Sequence, residues 1–390
     1  MADKYEVWLA SILNLSPAKK REIVRQTGSA KVFYQMSQTD KSALKRQVLY
    51  PEQEQVTEEA LLTPKQLLAC ERATKQSESE LDRTYEEMQR KGIVFVSGEE
   101  AIYPKSLLKL PDRPYGLFIK GALREEMLHV AIVGTRNCSA YGGYVARLFG
   151  EKLAAAGLGV ISGLARGIDS IAQEAALQAG TAVIGVLGCG VDICYPRENI
   201  DLYERISRQG ALISEYAPGV QPHPAFFPAR NRIISGLADC VLVIEAKERS
   251  GSLITGDCAL EQGKDLYAVP GRLTDTLSTG CNQLIRQGAG IALSPEDLIE
   301  ELLLLHPNKI TAGTVKQTFP KQNVLFSDAE KAAFAALDFL PQPLEAIAQT
   351  VEKRHSMELS ELLHCLIKLS LAGKVSQIGG NYYCKKEADL

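Results

Sequence analysis

The sequence predicts an α/β fold: a doubly wound, mostly parallel sheet, preceded by a helical domain and followed by a small domain of helices and a hairpin. Three observations carry this prediction. Short, almost wholly apolar runs recur between residues 91 and 302, helix-like stretches lie between most of them, and glycine or serine follows most runs. Strands alternating with helices indicate a parallel sheet covered on both faces, whose strands read as continuous apolar runs.

The bulk composition is that of a globular chain, and its 390 residues allow two or three domains. The net charge is only −3, so a nucleic-acid site must be a local patch. No apolar stretch is long enough for a membrane span, and the start lacks a secretory pattern. The nine cysteines include no CxxC pair. We therefore expect reduced thiols, a cytoplasmic location, and no bound metal.

Residues 1–90 predict a helical domain, because apolar side chains such as Trp8, Leu9, Ile12 and Leu13 recur at helical spacing. The sheet domain is placed at 91–302. Its predicted strands are Ile93–Val96, Val130–Val133, Gly159–Ile161, Ala182–Leu187, Ala211–Ile213, Cys240–Ile244 and Leu266–Val269.

Residues 303–325 are of mixed and polar composition, with Pro307, Gly313 and Pro320, and predict a linker. Residues 326–390 then show three helical patterns and two short segments separated by Gly379-Gly380, a hairpin signal. Three helices and a hairpin indicate a winged-helix-like domain. Acidic residues outnumber basic ones here, and Glu358 and Glu361 open the third helix, where they would repel phosphate. We expect a protein contact or a weak accessory role for this domain.

Three glycine-bearing turns follow predicted strands, and ligands of open α/β sheets bind at the carboxyl ends of strands. The turns are Gly134-Thr135-Arg136-Asn137, Ser162-Gly163-Leu164-Ala165-Arg166-Gly167-Ile168-Asp169 and Gly188-Cys189-Gly190-Val191-Asp192. Glycine permits close backbone approach, helix N-termini attract anions, and arginine adds forked donors. The turns together predict an anion site; the alternative is that each glycine only makes a tight turn.

Two further segments suit nucleotides. Phe226-Phe227 precedes Arg230-Asn231-Arg232 at the head of an apolar helix, so rings could stack on bases while charge follows the backbone. We expect one phenylalanine in the core and one available. The segment Ser250–Gly256 offers hydroxyl and N–H groups to phosphate, although ordinary helix capping explains it equally well.

Catalytic patterns are weak. The sequence has no GxGxxG after the first parallel strand, no P-loop and no GxSxG elbow. His223 is the histidine nearest these turns, and Asp169 is expected to hold a turn. We therefore predict no catalytic residue and no cofactor.

Taken together, the motifs resemble the DNA-processing protein A (DprA/Smf) family, in the family's order across 91–302. Besides the turns above, the motifs are Tyr195-Pro196-Arg197-Glu198-Asn199, Ser214-Glu215-Tyr216, Phe227–Leu237, Ser250–Thr255 and Ala268-Val269-Pro270-Gly271. The strand Gly116–Gly121 also fits. The resemblance implies an extended Rossmann-like domain that binds single-stranded DNA, forms a homodimer and delivers DNA to the RecA recombinase in natural transformation. Members are not known as enzymes.

The resemblance also places the family's phosphate-gripping Gly-Ser-Arg motif on Arg136, with Thr135 as the middle residue, and its Arg-Asn-Arg motif on residues 230–232. Arg197 is a further basic candidate. The predicted DNA-binding set is Gly134, Thr135, Arg136, Asn137, Ser162, Gly163, Arg166, Gly167, Arg197, Phe227, Arg230, Asn231, Arg232, Ser250, Gly251, Ser252 and Thr255.

Two other functions stay open. A Rossmann-like enzyme on nucleotides, such as a phosphoribohydrolase, would carry a PGGxGTxxE-type motif, which Ser250–Glu261 lacks. A protein adaptor without nucleic-acid contact is the other.

Overall fold

A computed structural model describes residues 2–39, 62–307, 309, 326–355, 357–378 and 381–386 of the chain. The predicted helical domain, the sheet domain and the C-terminal helices each have counterparts in these ranges. Most of the predicted linker and Gly379-Gly380 lie outside them.

Five described helices precede the sheet. They are α1 (Lys4–Ser11), α2 (Pro17–Thr27), α3 (Ala30–Thr39), α4 (Pro64–Ala73) and α5 (Glu78–Arg90). Their side chains form a core around Trp8 and Phe33 that extends onto Phe95 and Phe118 of the first two strands, whose rings lie 4.8 Å apart. A capping box, in which Ser77 and Glu80 satisfy each other's backbone N–H groups, starts α5.

Within the described ranges, the main sheet has nine strands. They are β1 (Ile93–Ser97), β2 (Gly116–Gly121), β3 (His129–Gly134), β4 (Gly159–Ser162), β5 (Val183–Val186), β6 (Ala211–Ser214), β7 (Cys240–Ile244), β8 (Asp265–Ala268) and β9 (Gly290–Ile291). Every apolar run predicted as a strand is one, and so is Gly116–Gly121. The sequence reading missed β9, which has only two residues.

The strand order is β1-β2-β6-β5-β4-β3-β7-β8-β9. The seven strands from β6 to β9 run parallel, whereas β2 pairs antiparallel with both β6 and β1. The order reverses beside β3, which has β4 on one side and β7 on the other. This is the switch point at which ligands of doubly wound sheets bind.

Helices cover both faces of the sheet, as predicted. One face carries α7 (Ala140–Ala155), α8 (Ile168–Gln178), α9 (Ile200–Gln209) and α13 (Pro295–Leu305). The other carries α6 (Lys105–Leu108), α10 (Phe226–Leu237), α11 (Gly251–Glu261) and α12 (Thr279–Arg286). Alternate side chains of β3 enter opposite cores: Val130 and Ile132 face the first set, Ala131 and Val133 the second.

The C-terminal segment contains α14 (Asp328–Ala335), α15 (Leu344–His355), α16 (Leu359–Leu371) and a sheet of β10 (Gln342–Pro343), β11 (Val375–Ile378) and β12 (Tyr382–Lys385). Its core is separate from the others. The ring of Phe339 stacks on Tyr144 of α7 at 5.0 Å. The predicted linker starts too early, because α13 continues through Leu305.

Candidate nucleic-acid interface

A cleft opens at the carboxyl edge of the sheet, beside the switch point. Its volume is about 580 Å³, and a smaller recess of about 50 Å³ adjoins it. We use "the cleft" for both. The predicted residues that line it are Gly134, Arg136, Gly163, Arg166, Phe227, Arg230, Asn231, Ser250, Gly251, Ser252 and Thr255. Segments far apart along the chain therefore meet in one depression.

Six predicted residues do not line the cleft: Thr135, Asn137, Ser162, Gly167, Arg197 and Arg232. The Ser162 side chain is fully buried, and its hydroxyl donates to the Ile132 carbonyl at 2.6 Å. Thr135 turns its hydroxyl to the backbone N–H of Asn137 at 3.3 Å. The hydroxyls of Ser162 and Thr135 therefore hold their turns in shape. Because none of the six residues lines the cleft, we leave all six out of the proposed contact set.

Glycines at the strand ends serve close packing within the protein. A Cβ on Gly163 would lie 1.7 Å from Nη1 of Arg230, and one on Gly134 would lie 1.9 Å from the Ile244 carbonyl oxygen. Gly167 has φ of +74° and faces the Thr135 carbonyl. The N–H of Ile168, at the start of α8, donates to that carbonyl at 3.3 Å. The N-terminus of α8 therefore bonds to the protein itself and does not offer this N–H to an anion. For this turn, the alternative that the glycine only makes a tight turn fits the structure.

Arg136 and two aromatic rings form a row across the cleft. The Arg136 guanidinium lies 5.8 Å from the centre of the Phe227 ring, and the Phe227 ring lies 5.4 Å from that of Tyr195. Arg136 is exposed and Phe227 half-buried. Among the residues that the structure describes, no carboxylate pairs with Arg136. The row combines a free cation with two ring faces, which suits a phosphate and its neighbouring bases.

The two phenylalanines have different surroundings, as predicted. Phe226 stacks on the buried Tyr216 with ring centres 4.2 Å apart, while Phe227 lines the cleft. Phe226 remains half-buried, so it is not a full core residue.

Arg166 is exposed, but its guanidinium is paired. Nη2 of Arg166 donates to Oε1 of Glu198 at 2.6 Å, and Nε donates to the other carboxylate oxygen. The hydrogen bond to Glu198 raises the pKa of Arg166. Both side chains are more than half exposed, so solvent screens the pair and a phosphate can compete for the guanidinium. Arg197 is exposed on the neighbouring turn, outside the cleft lining.

Arg230 forms the floor of the cleft. It is 4% exposed, and its Nη1 donates to the Val186 carbonyl at 2.9 Å. Burial lowers the pKa of Arg230, and the nearby Asp169 carboxylate opposes that shift. Burial raises the pKa of Asp169, and the Arg230 guanidinium opposes that shift in turn. Nε of Arg230 is buried without a hydrogen-bond partner in the described protein. Asp169 accepts the Gly163 N–H at 3.1 Å, which confirms its expected turn-holding role.

The opposite wall comes from the start of α11. The Ser250 hydroxyl accepts the Ser252 N–H at 3.4 Å and lies 2.7 Å from the Ser252 hydroxyl. Asn231 of α10 donates from its amide to the Gly251 carbonyl at 3.3 Å. A Cβ on Gly251 would meet nothing within 4 Å, so this end of α11 faces open space. A helix N-terminus open to the cleft is suited to an anion.

Arg232 requires a correction. It follows Asn231 in α10 but points away from the cleft, into a largely buried ion pair with Glu215 and a second ion pair with the exposed Asp112. Its Nη2 lies 2.7 Å from Glu215 and its Nε 2.8 Å from Asp112. Only 11% of the Arg232 side chain is exposed. We therefore replace its predicted DNA contact with a structural role.

Sequence reasoning missed Tyr195, which is 43% exposed and lines the cleft. Tyr195 opens the Tyr-Pro-Arg-Glu-Asn motif but is not in the predicted DNA-binding set. An aromatic residue beside proline in a turn after a buried strand was the available signal. In the described part of the chain, no three metal-ligating side chains gather into a metal site, and no helix is long and apolar enough to cross a membrane.

The fold and the cleft define a Rossmann-like protein with an anion-suited site at the switch point of its sheet. The chain belongs to the family described as DNA recombination-mediator protein A, which matches residues 93–303.

Relatives and solved structures agree with this placement. The chain is 38% identical over 294 residues to Protein Smf of Escherichia coli, covering 74% of this chain and 76% of that protein. It is 46% identical over 202 residues to DNA processing protein DprA of Streptococcus pneumoniae, covering 51% and 71%. The X-ray structure of S. pneumoniae DNA processing protein A matches with a TM-score of 0.63 and 32% identity, covering 77% of this chain and 98% of that chain.

A second structure is described as giving insights into the unique single-stranded DNA binding mode of DNA processing protein A from Helicobacter pylori. It matches with a TM-score of 0.50 and 32% identity, covering 54% of this chain and 96% of that chain.

Proposed function

We propose that the cleft binds single-stranded DNA with little sequence preference. The observation that carries this is the row of Arg136, Phe227 and Tyr195, which sets a guanidinium beside two neighbouring aromatic rings. Cations follow the phosphate backbone, and every base has a face that can stack on an aromatic ring. The H. pylori relative, described by its single-strand binding mode, supports the same use of the fold.

The arrangement favours unpaired strands over duplex. Phe227 is half-buried within the cleft, so a base must leave its pair and its stack to reach the ring. The open end of α11 at Ser250 and Gly251 supplies a second place for phosphate on the opposite wall. Affinity should come mainly from counterion release, with stacking adding about 1–3 kcal/mol per base.

Fluorescence anisotropy with labelled oligonucleotides tests the proposal. Homopolymer and mixed single strands of equal length should bind with similar affinity, duplex should bind more weakly, and affinity should fall as salt rises. Preference for duplex, or no binding at low salt, would refute it.

Incubation with nucleoside monophosphates separates the enzymatic alternative: free base should not appear, and base release at enzymatic turnover would favour a phosphoribohydrolase.

We further propose that the chain acts in the cytoplasm, without catalysis of its own, by delivering single-stranded DNA to the RecA recombinase during natural transformation. Membership of the DNA recombination-mediator protein A family supports this role. RecA filament formation on strands coated with a single-strand-binding protein should speed up when the chain is added. An unchanged rate would remove the delivery role and leave DNA binding standing.

A homodimer is part of the proposal. The sheet ends at the short strand β9, and apolar side chains in and directly after β9 are exposed, with Ile291 at 53% and Leu293 at 75%. An open edge with apolar side chains is suited to pairing with a second copy. Sedimentation should show a dimer that Leu293→Asp dissociates, and a monomeric parent chain would contradict this.

A domain division at 1–90, 91–305 and 326–390 is our proposal, with the second boundary moved to the end of α13, and so is a winged-helix-like accessory role for the last segment. The acidic residues Glu358 and Glu361 support that role, since they disfavour phosphate. Removing residues 326–390 should leave most of the single-strand affinity, and its loss would assign this segment to the DNA site.

A further inference from the structure

A carboxylate from another part of the chain, that of Glu245, lies at the N-terminus of α7. In doubly wound folds, the turn from the first parallel strand into its helix is where a nucleotide phosphate sits, held by N–H groups at the helix N-terminus. Here β3 is that strand and α7 that helix. Glu245, the residue directly after β7, reaches this position from the neighbouring strand.

Glu245 binds the β3–α7 loop at both ends. Its carboxylate oxygen Oε2 accepts the backbone N–H of Ser139, the N-cap residue of α7, at 2.9 Å, and Oε1 accepts the Ser139 hydroxyl. Its backbone carbonyl accepts the N–H of Thr135 at 2.8 Å. Arg136 lies between these two anchor points, so the position of its backbone depends on Glu245.

The surrounding chain is shaped to admit this carboxylate. A Cβ on Gly142 would lie only 2.2 Å from Oε2 of Glu245, so the carboxylate can hold this position only while residue 142 has no side chain. Glu245 itself has φ of +51°, a left-handed conformation that is uncommon for residues other than glycine. It is 5% exposed. A strained backbone and a missing side chain at Gly142 both serve to place one acidic group at the start of α7.

We propose that Glu245 is a specificity-determining and positioning residue: its carboxylate fills the anion seat at the start of α7, which excludes free phosphate and mononucleotides. A second negative group at this seat would meet like-charge repulsion and a helix N-terminus whose partial charge is already compensated. The loop then presents Arg136 to the cleft, where a polymer can be held by side chains and stacking. Only this last step rests on the proposed single-strand binding.

Calorimetric titration with inorganic phosphate and with adenosine monophosphate tests the exclusion directly. The parent chain should bind neither at millimolar concentration. Glu245→Ala should gain saturable phosphate binding, because it frees the Ser139 N–H and hydroxyl. Glu245→Gln keeps this position filled but removes its charge, so it should bind phosphate more weakly than Glu245→Ala does. Glu248→Ala, which removes an exposed carboxylate from the following loop, is the matched control and should behave as the parent chain.

Single-strand affinity gives the second readout. Glu245→Ala should weaken binding of a labelled homopolymer by roughly tenfold. The loop that carries Arg136 loses its support, and the complex then loses the charge-assisted contact of Arg136 with phosphate. Should Glu245→Ala fail to fold, Gly142→Ala provides the test, because its methyl group must push the carboxylate out of the seat. It should weaken single-strand binding similarly at unchanged secondary structure.

The outcomes separate the two proposals. Phosphate binding by the parent chain equal to that of folded Glu245→Ala, or no gain in Glu245→Ala, overturns the role of Glu245. If the parent chain binds no single strand, the proposed function fails, while the phosphate comparison still decides whether Glu245 fills the seat.

Discussion

The arginines of the cleft loops and the arginines of α10 differ in what surrounds them. Arg136 and Arg166 stand on turns after β3 and β4 and are exposed to solvent. Arg230 and Arg232 lie in the second turn of a packed helix, where the first is 4% exposed and the second 9%. One pair of guanidinium groups is available to a ligand, and the other is committed mainly to the protein.

The difference teaches that the same residue type has two functions here. A guanidinium on an exposed turn loses little hydration before it meets phosphate, so it can add affinity. A buried guanidinium must be paired, because an unpaired buried charge is costly. Arg230 lies between these cases, since it lines the cleft floor and still faces Asp169. The loops therefore supply charge, and α10 supplies shape.

Breaking the buried pair should have the largest effect. Arg232→Met leaves Glu215 buried without its partner and should lower the free energy of unfolding by about 3–5 kcal/mol. Urea denaturation followed by circular dichroism measures this. The double variant Arg232→Met/Glu215→Leu should recover much of the loss, because no buried charge is left. A stable single variant with reduced DNA affinity would instead place Arg232 in the DNA site.

Phe227→Ala sharpens the comparison within α10 itself. It should weaken single-strand binding by about 1–3 kcal/mol through lost stacking. The salt dependence should stay unchanged, because no charge is removed. Phe226→Ala is the matched control: its ring stacks on Tyr216 outside the cleft lining, so it should lower stability more than affinity. Equal loss of affinity in both variants would contradict the division between the two rings.

The smallest effect concerns the loop arginine that is already paired. Glu198→Gln releases the exposed Arg166 guanidinium and should raise single-strand affinity slightly at low salt. The gain should vanish at high salt because the interaction is screened. Anisotropy titrations at two salt concentrations measure it. A fall in affinity would show that Glu198 itself takes part in binding.

The strands were predictable because burial on both faces demands continuous apolar runs, and Cys240–Ile244 was placed at its observed bounds. Their meeting at one edge followed from parallel topology. β9 was not predictable, since two residues give no pattern. The end of α13 at Leu305 was not predicted, because the linker boundary rested on the composition of residues 303–325 as a whole.

The burial of Arg232 could not be predicted from sequence. Its partner Glu215 lies on another element, and nothing local distinguishes Arg232 from Arg230 or from an exposed arginine. The same holds for Glu245, whose contact with Ser139 joins two distant loops. Residue types in motifs gave the set of polar groups, while the choice between contact and support depended on tertiary packing.

The central claim is that exposed loop charge grips the phosphate backbone, and Arg136→Ala tests it most directly. Single-strand affinity should be measured for this variant and the parent chain over a range of salt concentrations, with Arg197→Ala, outside the cleft lining, as control. Arg136→Ala should reduce the slope of log affinity against log salt by about 0.7, and Arg197→Ala should change it little. Unchanged slope and affinity in Arg136→Ala would contradict the account.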